Sequence, residues 1–313
     1  MPKFSVIIPL YNKENYIGAT VASVLAQNFT NFELLVVNDC STDNSVKILE
    51  QFDDNRIKLL HHQKNQGLSA SRNTGIKQAV GEIVTFLDAD DLWKTNFLSA
   101  IDSLSRKFPN CAILGTDYEE QLGDKTTFPQ KNLEGIYQEN KMLEIPDFFK
   151  ASLFNPIYCY SCVAFNKEVF QKIGLFDTAI DFGEDVDFNI KANTQFSLAY
   201  YCKSCAIYNI GVPQQMTNSG IKNKRLIDFK KFDALAENNL SLKKYINSKR
   251  YYYASQYKNQ RDKALFEKFM REIDFSQLSL QQTMLLKSPF WLYRFFKRTK
   301  MILLKKGIKV TPY

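Results

Sequence analysis

Asp88-Ala89-Asp90-Asp91 sets three carboxylates within four residues, directly after the apolar run Ile83-Val84-Thr85-Phe86-Leu87. Carboxylates this close repel one another and raise each other's pKa, so the grouping is costly unless a cation or a set of donors sits among them. Oxygen ligands with no neighbouring His or Cys suit Mg²⁺ or Mn²⁺, and Mg²⁺ is typically held by one or two carboxylates together with substrate phosphates. The chemistry implied is a hard cation beside a phosphorylated ligand. The same four residues also suit a solvated turn in which Asp88 caps a following helix, so the neighbouring elements must decide.

Those elements alternate. Phe4 to Ile8, Phe32 to Val37, Ile57 to Leu60 and Ile83 to Leu87 are short runs rich in Val, Ile and Leu, each followed by a polar loop, as in buried parallel strands. Between them, Ile17, Val21, Val24 and Leu25 fall at helical spacing. A second helix follows Ser41-Thr42-Asp43, which offers several N-caps, and a third runs from about Ser69 to Ala79 and stops at Gly81. This order predicts a parallel sheet with helices on both faces and ligands beyond the carboxyl ends of its strands. A helix is expected over about 95–108, then strands over 111–115, 157–165 and 198–208, while 118–150, with Gly123, Pro129, Gly135 and Pro146, reads as hairpins or a loop over the site.

Every polar cluster falls at a strand end. Pro9-Leu10-Tyr11-Asn12 follows the first strand and Asn38-Asp39-Cys40-Ser41-Thr42-Asp43 the second; Ser71-Arg72-Asn73-Thr74-Gly75 opens the third helix, and Asp88 to Asp91 follows the fourth strand. Gly183-Glu184-Asp185-Val186-Asp187 comes later. In order and spacing these five motifs, over about residues 3–210, resemble the family 2 glycosyltransferases of bacterial polysaccharide biosynthesis. The resemblance implies an α/β, A-type glycosyltransferase fold with a central, mostly parallel sheet, and inverting transfer from a nucleotide sugar.

By that resemblance Pro9, Tyr11 and Asn12 line the nucleotide pocket, Tyr11 facing the base. Asp39 accepts a hydrogen bond from the base, usually uracil, and Arg72 helps to close the nucleotide site. Asp90 is the principal metal ligand bridging Mn²⁺ or Mg²⁺ to the diphosphate, Asp88 sits near ribose or metal with Ala89 between them, and Asp91 caps a helix. Asp185 is the general base and Glu184 its neighbour on the acceptor side. Read from sequence alone, Asp185 would be a carboxylate favoured at a helix start.

Two departures stand out. Cys40 occupies a position where many members have Gly. No late His is present to complete a metal site: the only histidines, His61 and His62, precede Arg72 and read as loop residues. Metal would then rest on Asp90, diphosphate and water.

The 313 residues, 45% apolar and 24% charged, suffice for a domain of roughly 200 residues with an appendage. The expected division is a catalytic domain over 1–220 and a helical, basic extension over 221–313. No run reaches the ~18 apolar residues of a membrane span, and Phe4 to Leu10 is too short for a signal peptide, so the expected compartment is the cytoplasm. Charge is uneven: residues 231–313 hold 18 Lys and Arg against 6 Asp and Glu, with no acidic side chain after Asp274. Within 289–306, Leu292, Phe295, Phe296, Thr299, Ile302 and Leu303 form a stripe, with Arg294, Lys297, Arg298 and Lys305 mostly opposite and Trp291 on the apolar side. This suits an anionic membrane surface on the inner face of the cell membrane, or else a stripe docked on the main domain.

Cys159-Tyr160-Ser161-Cys162 and Cys202-Lys203-Ser204-Cys205 resemble zinc pairs, but both lie in expected strands, where residues three apart face opposite ways. They read as reduced structural thiols. The implied partners are a nucleotide-sugar donor and a glycan or lipid-linked acceptor, with no specific nucleic acid, since the basic segment lacks a nucleic-acid motif. Competing functions are an Asp-nucleophile phosphatase built on Asp88 and Asp90, and a non-catalytic membrane or nucleic-acid binder.

Overall fold

The computed structural model describes residues 1–213, 215, 220–221 and 224–305; for 300–305 it describes the backbone alone. The chain opens with β1 (Phe4–Leu10), α1 (Ile17–Leu25), β2 (Phe32–Asn38), α2 (Ser45–Leu49), β3 (Ile57–His61), α3 (Leu68–Gln78) and β4 (Ile83–Phe86). Every side chain of β2 is buried, as in a strand covered on both faces. The expected stripe of α1 lies inward through Ile17, Val21 and Val24. Residue Asn44, rather than Ser41, Thr42 or Asp43, precedes α2 as its cap, and the Asp43 carboxylate instead accepts from the amides of Glu14 and Ser45.

β5 (Leu92–Trp93), α4 (Phe97–Lys107), β6 (Ile113–Leu122), β7 (Lys125–Thr127), β8 (Met142–Ile145), α5 (Phe148–Ala151), β9 (Val163–Asn166), α6 (Lys167–Ile173), α7 (Glu184–Asn193) and β10 (Leu198–Asn209) follow. The main path of the sheet is β3-β2-β1-β4-β9-β6-β10-β5. Its first four strands are parallel; beyond β4 it is mixed, β9 running antiparallel to both β4 and β6, while β6 and β10 are parallel. The strand expected over 157–165 is shorter, because Tyr160–Cys162 winds into a single 3₁₀ turn before β9. The one expected over 111–115 runs on to Leu122 and turns back through β7.

β2, β1 and β4 are neighbours, which brings the ends carrying Asp39, Tyr11 and Asp88 side by side. Pro9 lies inside β1, opposite Val37, instead of after it. The pairing of β1 with β4 ends at Ile7 and Phe86, so the N–H that Pro9 lacks would face the β4 side past the end of that ladder.

The remaining helices are α8 (Asp233–Glu237), α9 (Leu240–Gln260), α10 (Lys263–Glu272), α11 (Leu280–Lys287) and α12 (Phe290–Lys305). One hydrophobic cluster runs from Phe4 through the sheet to Leu286, so α8 to α11 share a core with the preceding residues. Tyr245 of α9 packs on Phe148 and Phe149, and Tyr253 on Phe182, Phe229 and Phe269. Lys258 donates to the carbonyls of Leu285, Leu286 and Ser288, satisfying the end of α11. Among the described residues no helix is long and apolar enough to cross a membrane.

Gly81 turns the chain into β4 against β1: a Cβ there would stand 2.7 Å from the backbone of Phe4 and Ser5. Backbone cannot move aside as a side-chain tip can. Gly81→Ala should therefore cost about 1–3 kcal/mol, measured by urea unfolding.

Candidate active site

The acidic turn is held from beneath. The Thr20 hydroxyl donates to the carbonyls of Ala89 and Asp91, and the Asp91 amide donates to the Asp88 carbonyl at 2.9 Å. Asp91 does not cap a helix: β5 follows it, and its fully buried carboxylate accepts from the Ser161 hydroxyl at 2.5 Å and the Asn209 amide at 3.0 Å. Burial, with Cys159, Asp88 and Asp90 nearby, pushes Asp91 well above the usual carboxylate range. The Ser161 oxygen also accepts from the Asp88 amide, and its carbonyl takes the Trp93 indole N–H at 2.6 Å. Asp91 and Ser161 thus fix the turn on which Asp88 and Asp90 stand.

Asp88, Ala89 and Asp90 line one cavity of about 730 Å³ together with Pro9, Tyr11, Asp39, Arg72, Glu184 and Asp185, a volume in the range of ligand pockets. Asn12 is the expected site residue that lies outside that lining. In a left-handed conformation (φ 49°), its amide donates to the Ser41 hydroxyl and its side-chain oxygen accepts from the Thr42 amide. It fastens the loops after β1 and β2 to each other. Tyr11 is 45% exposed, its ring available at the mouth.

Asp39 is buried and already engaged: Oδ1 accepts from the Gln66 amide at 2.8 Å and from His62 Nδ1 at 2.7 Å, and Oδ2 accepts from the Gly67 amide at 2.8 Å. A carboxylate has about four lone-pair sites, so one acceptor direction remains. Of the two histidines only His62 lies in a loop, the one between β3 and α3, and that loop residue is not idle. His61 ends β3, and His62, side chain buried, bridges Asp39 to the Thr74 hydroxyl of α3. Cys40 keeps a left-handed φ of 62°, the conformation a glycine adopts without strain, and its thiol reaches the His62 carbonyl.

Arg72, 2% exposed, joins the two acidic motifs. One guanidinium nitrogen donates to Asp88 Oδ1 at 3.0 Å, another to Glu184 Oε1 at 3.4 Å, and the plane lies 4.5 Å from the centroid of the Tyr160 ring. Burial works against the charge, but Asp88 and then Glu184 more than offset it. Glu184 and Asp185 open α7 after Gly183, whose φ of 92° suits glycine. Asp185 Oδ1 accepts from the Val186 amide.

Asp88 and Asp90 are two hard oxygen donors facing the cavity, a set that fits Mg²⁺ or Mn²⁺ when diphosphate and water supply the rest. The described residues contain no group of three or more His, Cys, Asp or Glu that could hold a metal ion. Asp90 Oδ2 accepts from Lys13 Nζ at 2.7 Å, so a cationic group already faces the carboxylate. Lys13, Tyr158, Tyr245 and Lys249 also line the cavity and carry no local signal in the sequence, because elements distant in the chain bring them there.

The cysteines divide. Cys159 and Cys162 sit on the 3₁₀ turn with sulfurs 3.5 Å apart, so they do not face opposite ways, whereas Cys202 and Cys205 are buried in β10. All six are free thiols.

Burial first, then Asp185 beside it, pushes Glu184 up to about 7 from 4.5, with Arg72 opposing. Glu184 therefore holds its proton more tightly folded than unfolded. The stability this contributes is complete below pH 4.5 and is lost as the pH rises through about 7. Relative to Glu184→Gln, the wild-type chain should lose unfolding free energy between about pH 5 and pH 8, read from urea curves at each pH.

Comparison with known proteins supplies the family. A family model described as "Glycosyl transferase family 2" matches residues 5–174. The "UDP-Glc:alpha-D-GlcNAc-diphosphoundecaprenol beta-1,3-glucosyltransferase WfgD" of Escherichia coli is 42% identical over 132 residues, covering 41% of this chain and 51% of that protein. An "Uncharacterized glycosyltransferase EpsJ" of Bacillus subtilis (strain 168) is 32% identical over 199 residues, 61% of this chain and 56% of its own. The chain thus spans about half the length of the curated relatives it matches. Among solved structures, S. aureus TarS 1–349 in complex with UDP-GlcNAc superposes with a TM-score of 0.61 at 22% identity, over 92% of this chain and 76% of that one. That likeness speaks for the glycosyltransferase fold alone, and neither it nor the family match supports a phosphatase. Because the family model takes in more than half of its residues, among them four of the five motifs, the chain belongs to glycosyl transferase family 2.

Proposed function

We propose that the chain is an inverting glycosyltransferase that moves a sugar from a nucleoside-diphosphate donor, a UDP-sugar, to a hydroxyl of a glycan or lipid-linked oligosaccharide in surface polysaccharide synthesis. The observation that carries this reading is the single cavity lined by Asp39, Asp88, Asp90 and Asp185 together. The activity in the name of WfgD, from UDP-Glc to alpha-D-GlcNAc-diphosphoundecaprenol, and the complex of TarS with UDP-GlcNAc support the donor and acceptor classes.

In this reading the nucleotide lies between Tyr11 and Asp39, and its diphosphate reaches Asp90. Mn²⁺ or Mg²⁺ on Asp90 and Asp88 would stabilise the charge that develops on the departing diphosphate. Lys13 yields its bond to Asp90 as the diphosphate arrives and turns to the phosphate oxygens. Asp185 takes the proton of the acceptor hydroxyl as it attacks opposite the leaving group. Glu184, tied to Arg72, holds the start of α7 against the donor half. Asp185→Asn should lower transfer by at least about 10²-fold with UDP affinity within twofold; wild-type-like turnover would remove Asp185 from the role of base.

The same reading places the protein at the inner face of the cell membrane through α12. Tyr293 of this helix is buried, its hydroxyl bonded to Ser255, while Trp291, Phe295 and Phe296 are 70%, 60% and 49% exposed. The side chains of Ile302 and Leu303, and all of residue 306, lie outside the described residues. Exposed aromatics beside Arg294, Lys297 and Arg298 suit the interface of an anionic bilayer better than open water. Replacing Phe295 and Phe296 together by Ser should weaken binding to phosphatidylglycerol vesicles about tenfold with no loss of thermal stability, because neither ring is in the core. Vesicle sedimentation and a melting curve measure the two effects.

A further inference from the structure

The acceptor side of the cavity includes residues that belong to the last third of the chain. Tyr245 and Lys249, one turn apart on α9, line the cavity with Asp185. Tyr245 is buried, and its ring is fixed by Phe148 and Phe149 at centroid distances of 6.0 and 5.5 Å. The Lys249 ammonium stands 4.7 Å from that ring centroid. Among the other cations of the cavity, Lys13 pairs with Asp90, Arg72 pairs with Asp88 and Glu184, and the Lys224 ammonium stands 5.0 Å from the Phe182 ring centroid. Among the described residues Lys249 makes no ion pair, and Tyr245 gives it a face and no counter-charge. Burial pushes the ammonium below its ordinary pKa, and the carboxylate acting against this is Asp185.

A partly buried ammonium without a hydrogen-bonded counter-ion is costly, and an anionic oxygen group supplies one through a charge-assisted bond. We propose that Lys249, seated on Tyr245, is the anion-binding residue of the acceptor subsite, so that the molecule offering its hydroxyl to Asp185 carries a phosphate or carboxylate beside the reacting sugar. This rests on the reading of Asp185 as the base. Lys13 attends the strand-end carboxylate of Asp90, Arg72 joins Asp88 to Glu184, and Lys249 is the cation that acts on Asp185. Arg72 already holds Glu184, but among the described residues no salt bridge engages Asp185; a negatively charged acceptor would otherwise meet that carboxylate directly, and Lys249 supplies the offset there. The extension is then part of the specificity of the enzyme as well as of its packing.

The test is a calorimetric titration of the full chain loaded with UDP, so that the donor diphosphate site is filled. Three probes are compared: the hexyl diphosphate ester of α-GlcNAc, hexyl glucuronide and neutral hexyl α-GlcNAc. The wild type is expected to bind one charged probe at least about tenfold more tightly than the neutral one, and which one it is assigns phosphate or carboxylate. Lys249→Met should reduce that preference to about twofold or less, and Lys249→Arg should keep most of it, with UDP affinity unchanged in both. No preference in the wild type, or a full preference retained by Lys249→Met, overturns the proposal. Joint loss of UDP affinity and thermal stability in Lys249→Met and Lys249→Gln also overturns it, assigning the side chain to packing. Turnover by Asp185→Asn is scored separately: wild-type rates there would sink the base assignment and leave the binding ratio to judge Lys249.

Discussion

A buried guanidinium that cannot lose its charge constrains everything around it. Arg72 comes from the helix after β3, Asp88 from the end of β4, and Glu184 from the start of a helix more than ninety residues further on. Removing such a cation from water costs several kcal/mol, so Asp88, the nearer and stronger partner, must be correctly placed for the fold to tolerate it, and Glu184 adds to it. The arrangement links the strand ends, which carry the nucleotide-type motifs, to the helix that carries the candidate base. A shift of either half disturbs the other through one side chain. The face of Tyr160 supports the guanidinium plane, and Ser161, next in sequence, fixes the acidic turn, so one short 3₁₀ turn serves both partners.

The strand-end motifs were legible because each is local: an apolar run that must be buried is followed by polar residues that must lie at its end, and parallel pairing aligns those ends. That logic recovers β1 to β4, α1, α3 and the grouping of Asp39, Asp88 and Asp90. It fails where a side chain's role depends on a partner distant in the chain. Asp91 reads as a helix cap by spacing, but Ser161 and Asn209 claim it. His62 reads as loop, yet it is the brace between Asp39 and Thr74. Asn12 reads as pocket lining, although its best hydrogen-bond partners are in the loop after β2. Cys159 and Cys162 read as strand residues because nothing in their apolar surroundings signals a 3₁₀ turn.

The basic extension divides along similar lines. Composition and charge separate it from the rest of the chain, and the stripe of α12 is evident in sequence. What spacing misses is that Tyr293, outside that stripe, is the buried anchor. It is also silent on the inner face of α9, whose tyrosines are spread too evenly to form a sharp apolar stripe, although they pack against α5, Phe182 and Phe229.

The contact between Tyr253 and Gly183 bears on how the molecule is made. A Cβ at Gly183 would come within 2.4 Å of the Tyr253 hydroxyl, so α9 presses directly on the residue that starts the acidic helix. A chain emerging from the ribosome with its N-terminus first can assemble local parallel pairs as they appear. The nascent polypeptide then carries a formed sheet and an acidic helix with one side bare until residues 240–260 have been synthesised. Until that segment has left the ribosome, Phe148, Phe149, Phe182 and Phe229 lack the ring partners that Tyr245 and Tyr253 supply, so the emergence of α9 completes their packing.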